Sequence, residues 1–296
     1  MAAMAMRTDR PAWLTLPVPE AAALDRMKAL LDQGRLHTVC ESADCPNIGE
    51  CFSKQTCTFM ILGNSCTRNC HFCAVPHGIP AAVDNSEPAM LAATAKHLGL
   101  RHVVITSVTR DDLADGGAGQ FAAVVKAVRK NLPEAGIEVL IPDFQGSLAA
   151  LQTVLQAGPD ILNHNMETVP RLYSSVRPQA SYVRSLEVIS RARQASREIV
   201  TKSGLMLGLG ERIGEVVAVM SDLYQAGCQM LTLGQYLRPS PDHLPVAEYI
   251  RPAVFDRLRQ KALSMGFLHV SAGPMVRSSY HADFSFSEMS KENGML

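Results

Sequence analysis

The sequence predicts an α/β fold in which parallel strands alternate with helices. Three observations carry that prediction. From Cys57 onward, short β-branched or apolar runs alternate with longer stretches whose apolar residues recur at helical spacing. Gly99, Gly136, Gly158 and Gly227 stand just beyond the ends of several of those stretches, where helices stop. The strand–helix alternation then repeats along the chain, which is the pattern of βαβ units. Six units fall short of the eight of a closed barrel. The expected architecture is therefore a partial, open (β/α)6 barrel of the TIM type with N- and C-terminal extensions.

In order, residues 1–55 form an irregular N-terminal extension. Its one regular feature is a short amphipathic helix at Leu24–Leu31, with Leu24, Met27 and Leu31 on one side. Strands are expected at Thr58–Leu62, His102–Thr106, Ile137–Ile141, Asp160–Asn163, Ile199–Leu207 and Gln229–Leu233. Helices are expected at Glu87–Leu98, Gln120–Asn131, Leu148–Gln156, Val183–Ala195 and Gly214–Ala226. Val246–Met265 reads as a further helix, with Pro252 near its start or breaking it. Residues 56–265 are thus the barrel. Residues 266–296 are a C-terminal extension that carries Arg277-Ser278-Ser279-Tyr280 and loses periodicity. In such a fold ligands gather at the C-terminal ends of the strands.

Composition narrows the function. With 28 Lys+Arg against 28 Asp+Glu the formal net charge is zero, which argues against a protein that coats nucleic acid or an anionic membrane. No apolar run approaches the roughly 20 residues that cross a bilayer. Arg7, Asp9, Arg10 and Pro11 interrupt the N-terminal stretch where a secretory signal would be apolar. A cytoplasmic protein is expected. Seven of the eight cysteines lie between positions 40 and 73, a cluster that in a reducing compartment points to metal or redox chemistry.

Cys66-Thr-Arg-Asn-Cys70-His-Phe-Cys73 follows the first predicted strand directly, so it occupies the loop at that strand's C-terminal end. Three thiolates in eight residues wrap one face of a cubane iron–sulfur cluster and leave one iron open. The spacing, with Phe72 just before the last cysteine, resembles the signature of the radical S-adenosylmethionine (SAM) superfamily, whose open iron chelates the amino and carboxylate groups of SAM. Two other readings stand beside it. Structural zinc wants four ligands, and His71 and His77 are not at finger spacing. A thioredoxin-like Cys70-His-Phe-Cys73 pair leaves Cys66 unexplained.

Cys40-Glu-Ser-Ala-Asp-Cys45-Pro-Asn-Ile-Gly-Glu-Cys51 is a second triplet, less diagnostic alone. The pair of triplets in one chain resembles the lipoyl synthase family. That resemblance extends through residues 63–70, 106–117, 163–168, 176–182, 234–240, 243–246 and 277–282. It implies two [4Fe-4S] clusters: one on Cys66, Cys70 and Cys73, and an auxiliary one on Cys40, Cys45 and Cys51 with Ser279 as fourth ligand. Cys57 is the rival to Ser279, nearer in sequence and of a better ligand type. It also reads as a buried residue opening the first strand, as Cys228 does near another. Candidate SAM contacts sit in loops after strands: Thr106, Arg110, Asp111, Asn163, Asn165, Glu167, Arg177, Gly208 and Gly210. Gly208–Gly210 equally reads as a tight turn, Arg110, Arg177 and Arg238 as surface charges, and His164 as a satisfied core histidine. Arg212 departs from the small hydroxyl residue that the family places after the glycines.

The activity implied is that of a sulfurtransferase. Two sulfur atoms enter an octanoyl chain, at C6 and C8, while it is held by an amide to a lysine of a carrier protein. Those carbons carry no acidic proton, so radical chemistry from a cofactor is needed. In the family, reductive cleavage of SAM gives a 5′-deoxyadenosyl radical that abstracts a hydrogen, and the carbon radical takes sulfide from the auxiliary cluster. The resemblance implies an octanoylated lipoyl domain or glycine-cleavage carrier protein as substrate and a low-potential electron donor, with no nucleic acid and no membrane. A biotin-synthase-like or tRNA-modifying radical enzyme, an electron-transfer protein and a zinc module are the alternatives.

Overall fold

The computed structural model describes residues 10–15, 21–280 and Ala282. Arg7, Asp9 and the extension beyond Ala282 lie outside the described residues. One sheet runs through the molecule in sequential order. Its strands are β1 (His37–Thr38), β2 (Thr58–Ile61), β3 (His102–Ser107), β4 (Gly136–Leu140), β5 (Ile161–Asn163), β6 (Val200–Leu207), β7 (Met230–Gln235) and β8 (His269–Gly273). β1 is antiparallel to β2, and the neighbours from β2 to β8 are parallel. β1 and β8 are the edges, so the barrel is open, as expected.

The helices are α1 (Ala21–Gln33), α2 (Val39–Ser42), α3 (Ile48–Ser53), α4 (Glu87–His97), α5 (Ala118–Asn131), α6 (Leu148–Gln156), α7 (Tyr173–Val176), α8 (Tyr182–Ala195), α9 (Ile213–Gln225) and α10 (Pro252–Met265). The predicted strands and helices of the barrel reappear with shifts of one or two residues at their ends. Two strands were not expected. β1 comes from the segment read as irregular, and β8 from the C-terminal extension. The segment from Val246 is not helical until Pro252, which takes the first turn of α10, where a missing N–H costs nothing.

The outer helices pack because their apolar residues fall on one face. In α5, Phe121, Val124, Val125 and Val128 follow the i, i+3, i+4, i+7 spacing and are fully buried. Each such side chain contributes about 1.5–3 kcal/mol by leaving water. Gly117 begins this helix with φ +89, and a Cβ there would stand 2.3 Å from Leu62 Cδ1. Only glycine lets α5 close down on the end of β2. Ser147 caps α6, and Ser181 caps α8, each hydroxyl accepting a backbone N–H of the first turn. One large core cluster draws on β2–β5 and another on β6–β8, and Ile161, Val200 and Met230 form a small third. Among the described residues, no helix is long and apolar enough to cross a membrane.

Inside the barrel the packing is ionic as well as apolar. Lys202 Nζ donates to both Glu138 carboxylate oxygens, at 2.8 and 3.0 Å. His102 Nε2 lies 3.6 Å from the same carboxylate. Burial alone would raise the Glu138 carboxyl, but Lys202 and His102 outweigh it and hold it at about 2.

Candidate functional site

A cavity of about 570 Å³ opens at the C-terminal ends of the strands. Its lining includes Cys66, Cys70 and Cys73 on one side and Cys40 and Cys45 on another. A smaller cavity of about 190 Å³ lies beside it and is lined by Cys40, Cys45, Cys51 and Cys57. Cys40, Cys45, Thr58, Arg277 and Ser279 line both spaces, so part of the second triplet stands in the wall of the cavity that the first triplet lines.

The first triplet is held from several directions. Arg68 is buried within its loop. The guanidinium donates to Asp111 through Nε (2.7 Å) and Nη2 (3.0 Å), and to Asp143 through Nη2 (2.6 Å). Thr67 donates its hydroxyl to the Thr109 carbonyl and accepts the Asp111 N–H. Cys66 Sγ accepts the N–H groups of Arg68 and Thr109. On the far side the His71 N–H donates to the Val176 carbonyl, and His243 Nε2 donates to the Cys73 carbonyl at 3.0 Å. The loop is pinned before any ligand arrives.

The second triplet rides on two helices too short to show periodicity. Thr38 caps α2, which carries Cys40. α3 carries Cys51, whose carbonyl accepts the Thr56 hydroxyl. The C-terminal tail crosses this segment. Asn47 Nδ2 donates to the Met275 carbonyl (2.8 Å), Tyr280 donates to Glu50 (2.6 Å), and Thr58 Oγ1 donates to Ser279 Oγ (2.7 Å). The tail thereby brings Ser279 to the wall where Cys40 and Cys45 stand.

The chemistry of these donor sets fits iron–sulfur clusters. Burial pushes Cys40 and Cys73 up to about 12 and Cys51 and Cys70 to about 11, and neighbouring thiols add to the rise at each. Cys45 rises by burial against the pull of the Asn47 N–H and Arg277. Thiols so placed need a strong cationic partner to become thiolates, which iron supplies. Among the described residues, no three His, Cys, Asp or Glu side chains converge on one point as a single ion requires. Thiolates are the usual ligands of a cubane cluster, and each triplet supplies three of them.

The remaining predicted residues divide in two. Thr106, Asn165, Glu167 and Arg177 line the larger cavity. Glu167 holds a left-handed backbone, φ +65, pinned on both sides by bonds to β6: its N–H to the Gly204 carbonyl and its carbonyl to the Met206 N–H. Such strain in a non-glycine residue collects at functional positions. Burial raises the Glu167 carboxyl, while Arg177 and Asn165 draw it down. Asn165 Nδ2 donates to it at 3.0 Å. Arg177 spends Nη1 on the carbonyls of Asn165 and Met166 and lies over the Tyr173 ring, yet its Nε is buried with no partner among the described residues. A ligand carboxylate would satisfy that donor.

Arg110, Asp111, Asn163, Gly208 and Gly210 do not line the cavity. Arg110 pairs with Asp112 and bonds the Leu62 carbonyl, and Asp111 serves Arg68. Gly208 makes the turn after β6, where a Cβ would stand 2.1 Å from Gln235 Nε2. The Glu211 carboxylate accepts the N–H groups of Gly208 and Leu209. Arg212 precedes α9, its N–H accepted by Glu215. His164 is a buried histidine that also lines the cavity: Nδ1 donates to the Ile141 carbonyl, so Nε2 accepts the Ser185 hydroxyl. Arg68 and Asp143 were missed, because they pair across 75 residues, and Ser278, quoted only within its motif, was given no role of its own.

Comparison with known proteins agrees with this geometry. The radical SAM superfamily profile matches residues 60–223. A lipoyl synthase of Caldanaerobacter subterraneus subsp. tengcongensis is 53% identical over 282 residues, covering 95% of this chain and 99% of that protein. One of Nitrosococcus oceani is 55% identical over 278 residues, covering 94% and 86%. The crystal structure of methylornithine synthase (PylB) superposes with a TM-score of 0.52 at 16% identity, covering 86% and 79% of the two chains, a likeness of fold alone. Identity above one half, sustained over nearly the whole chain and through both triplets, is decisive: the chain belongs to the lipoyl synthase family of the radical SAM superfamily.

Proposed function

We propose that this chain forms protein-bound lipoyl groups, inserting two sulfur atoms at C6 and C8 of an octanoyl-lysine with SAM as cosubstrate. One observation carries the reading: all of the first triplet and Cys40 and Cys45 of the second line one cavity large enough for a cosubstrate and an alkyl chain. In this reading Cys66, Cys70 and Cys73 hold one [4Fe-4S] cluster. Cys40, Cys45, Cys51 and Ser279 hold a second, auxiliary one. Bound there, these groups supply the electron that cleaves SAM and the sulfur that is inserted.

The chain's own residues position and protect. Arg177 offers a cation to the SAM carboxylate and Glu167 an anion to its ammonium, while Asn165 orients Glu167. Thr106 reaches the cavity with its hydroxyl already bonded to the Leu140 carbonyl. Arg110, Asp111, Asn163, Gly208 and Gly210 act through the loops they hold. Val108, Ile141, Leu205 and Met206 give the cavity an apolar wall for an alkyl chain and keep water from a radical. The division into an N-terminal extension (1–55), a barrel (56–265) and a C-terminal extension (266–296) then has a purpose, since the two extensions complete the auxiliary site.

The carrier in this reading is an octanoylated lipoyl domain or glycine-cleavage carrier protein, the electron comes from a low-potential donor, and the reaction belongs in the cytoplasm. The test is anaerobic turnover of an octanoyl-lysine peptide with SAM and dithionite after reconstitution. About eight irons per chain, 5′-deoxyadenosine and a dithiolated peptide are expected. 5′-Deoxyadenosine without sulfur insertion would move the substrate elsewhere, and a chain that takes up no iron would end the reading.

A further inference from the structure

The smaller cavity holds one thiol more than the auxiliary triplet needs. Cys57 lines it together with Cys40, Cys45, Cys51 and Ser279. It is 9% exposed, and Cys40 and Cys51 are close enough to add to the effect of burial on its thiol. It sits next to Thr58, whose hydroxyl donates to Ser279 and whose N–H is directed at Cys40. Asn47, 2% exposed, lines the same cavity with Oδ1 unpartnered among the described residues, so the space is built for more than packing. Cys57 and Ser279 thus line one cavity, Cys57 immediately before β2 and Ser279 on the tail.

We infer that Cys57 is a reserve ligand of the auxiliary site, taking the iron that Ser279 releases. The inference rests on the proposed auxiliary cluster. The exchange is balanced without an oxidant or reductant: the Cys57 thiol gives its proton to the Ser279 oxygen, the iron–oxygen bond breaks, and an iron–sulfur bond forms. A thiolate is the softer ligand and holds a cluster iron better than an alkoxide. The exchange keeps the cluster in place when the tail moves.

The test uses the full chain with Cys66, Cys70 and Cys73 changed to Ala, so that only the auxiliary site loads. Iron and sulfide content and the rate of iron release to a chelator are read after anaerobic reconstitution. Ser279→Ala is expected to retain about four irons. Adding Cys57→Ala to it should speed release by about tenfold or more, the usual effect of losing a supporting group at a metal site. Cys57→Ala alone, with Ser279 present, should retain its iron, which also shows that the variant folds. Equal retention with and without Cys57, or loss of iron already in Ser279→Ala, would overturn the inference. So would loss in Cys57→Ala alone, because Cys57 would then be needed beside Ser279 rather than in its place. A parent chain that takes up no iron would instead refute the auxiliary cluster itself.

Discussion

Asn163 Nδ2 donates to Ser278 Oγ at 2.9 Å, joining the end of β5 to the tail one residue before Ser279. The same nitrogen donates to Glu138 at 3.1 Å, and Ser278 passes its own proton to Asn165 Oδ1 at 2.8 Å. One chain of polar contacts therefore runs from Lys202 in the barrel interior to Glu167 in the cavity. Asn163→Ala should cost about 1–3 kcal/mol, the price of leaving buried partners unpaired. The C-terminal tail should also become easier to cleave with protease. Denaturant unfolding and a timed digest check both effects.

Lys202→Met leaves the Glu138 carboxylate buried without its cation. Breaking such a pair from one side costs about 3–5 kcal/mol. Lys202→Met with Glu138→Leu should recover most of that loss, because no charge is then stranded. Equal instability of the single and double variants would refute this account. Since Glu138 is held at about 2, below its unfolded value, the pair's contribution is full above about pH 4.3 and fades as pH falls toward 2.

His164 gives a second pH signature. Burial first, and then Arg177, lower its pKa to about 4. The unfolded chain takes up that proton near pH 6.5 and the folded chain does not, so stability falls as pH drops from about 6.5 to 4, by on the order of 3 kcal/mol in total. His164→Gln should flatten that part of the stability–pH profile. An unchanged slope would mean that another group titrates there.

Arg68→Lys keeps the charge but loses the planar fork that reaches Asp111 and Asp143 together. The Cys66–Cys73 loop should loosen, and iron held by the first triplet should be lost to chelator about 10–100-fold faster. Iron held by the second triplet should be unaffected. Release measured with each triplet removed in turn separates the two.

Glu167→Gln keeps the shape of the side chain and removes its charge. SAM binding should weaken by about tenfold, the loss of one charge-assisted hydrogen bond, while iron content stays constant. Equilibrium binding of SAM to the reconstituted chain reads this directly.

Much of the barrel was legible because β2 to β7 are buried along most of their length and read as short apolar or β-branched runs, while glycines mark the ends of several helices between them. β1 was not, being two residues long, and His269–Gly273 has too few apolar residues to announce a strand. α2 and α3 span one turn or two, below the length at which periodicity shows. At the site, spacing exposed the thiols, since the members of each triplet lie close in sequence. Arg68 with Asp143, 75 residues away, and Asn163 with Ser278, 115 away, left no such trace. Their pairing exists only once the sheet has formed.

The tail contacts carry a consequence for how the molecule is made. Thr58 meets Ser279 across 221 residues, Asn47 meets Met275 across 228, and Glu50 meets Tyr280 across 230. During synthesis Cys40, Cys45 and Cys51 leave the ribosome early, and nearly the entire barrel follows before Ser279, the oxygen ligand proposed for them, arrives. Contacts so distant form late, after the local ones have been made. Cys66, Cys70 and Cys73 complete their set within one loop. The nascent chain thus presents the first triplet whole before the proposed fourth member of the second is made, and on that proposal the two sites mature in that order.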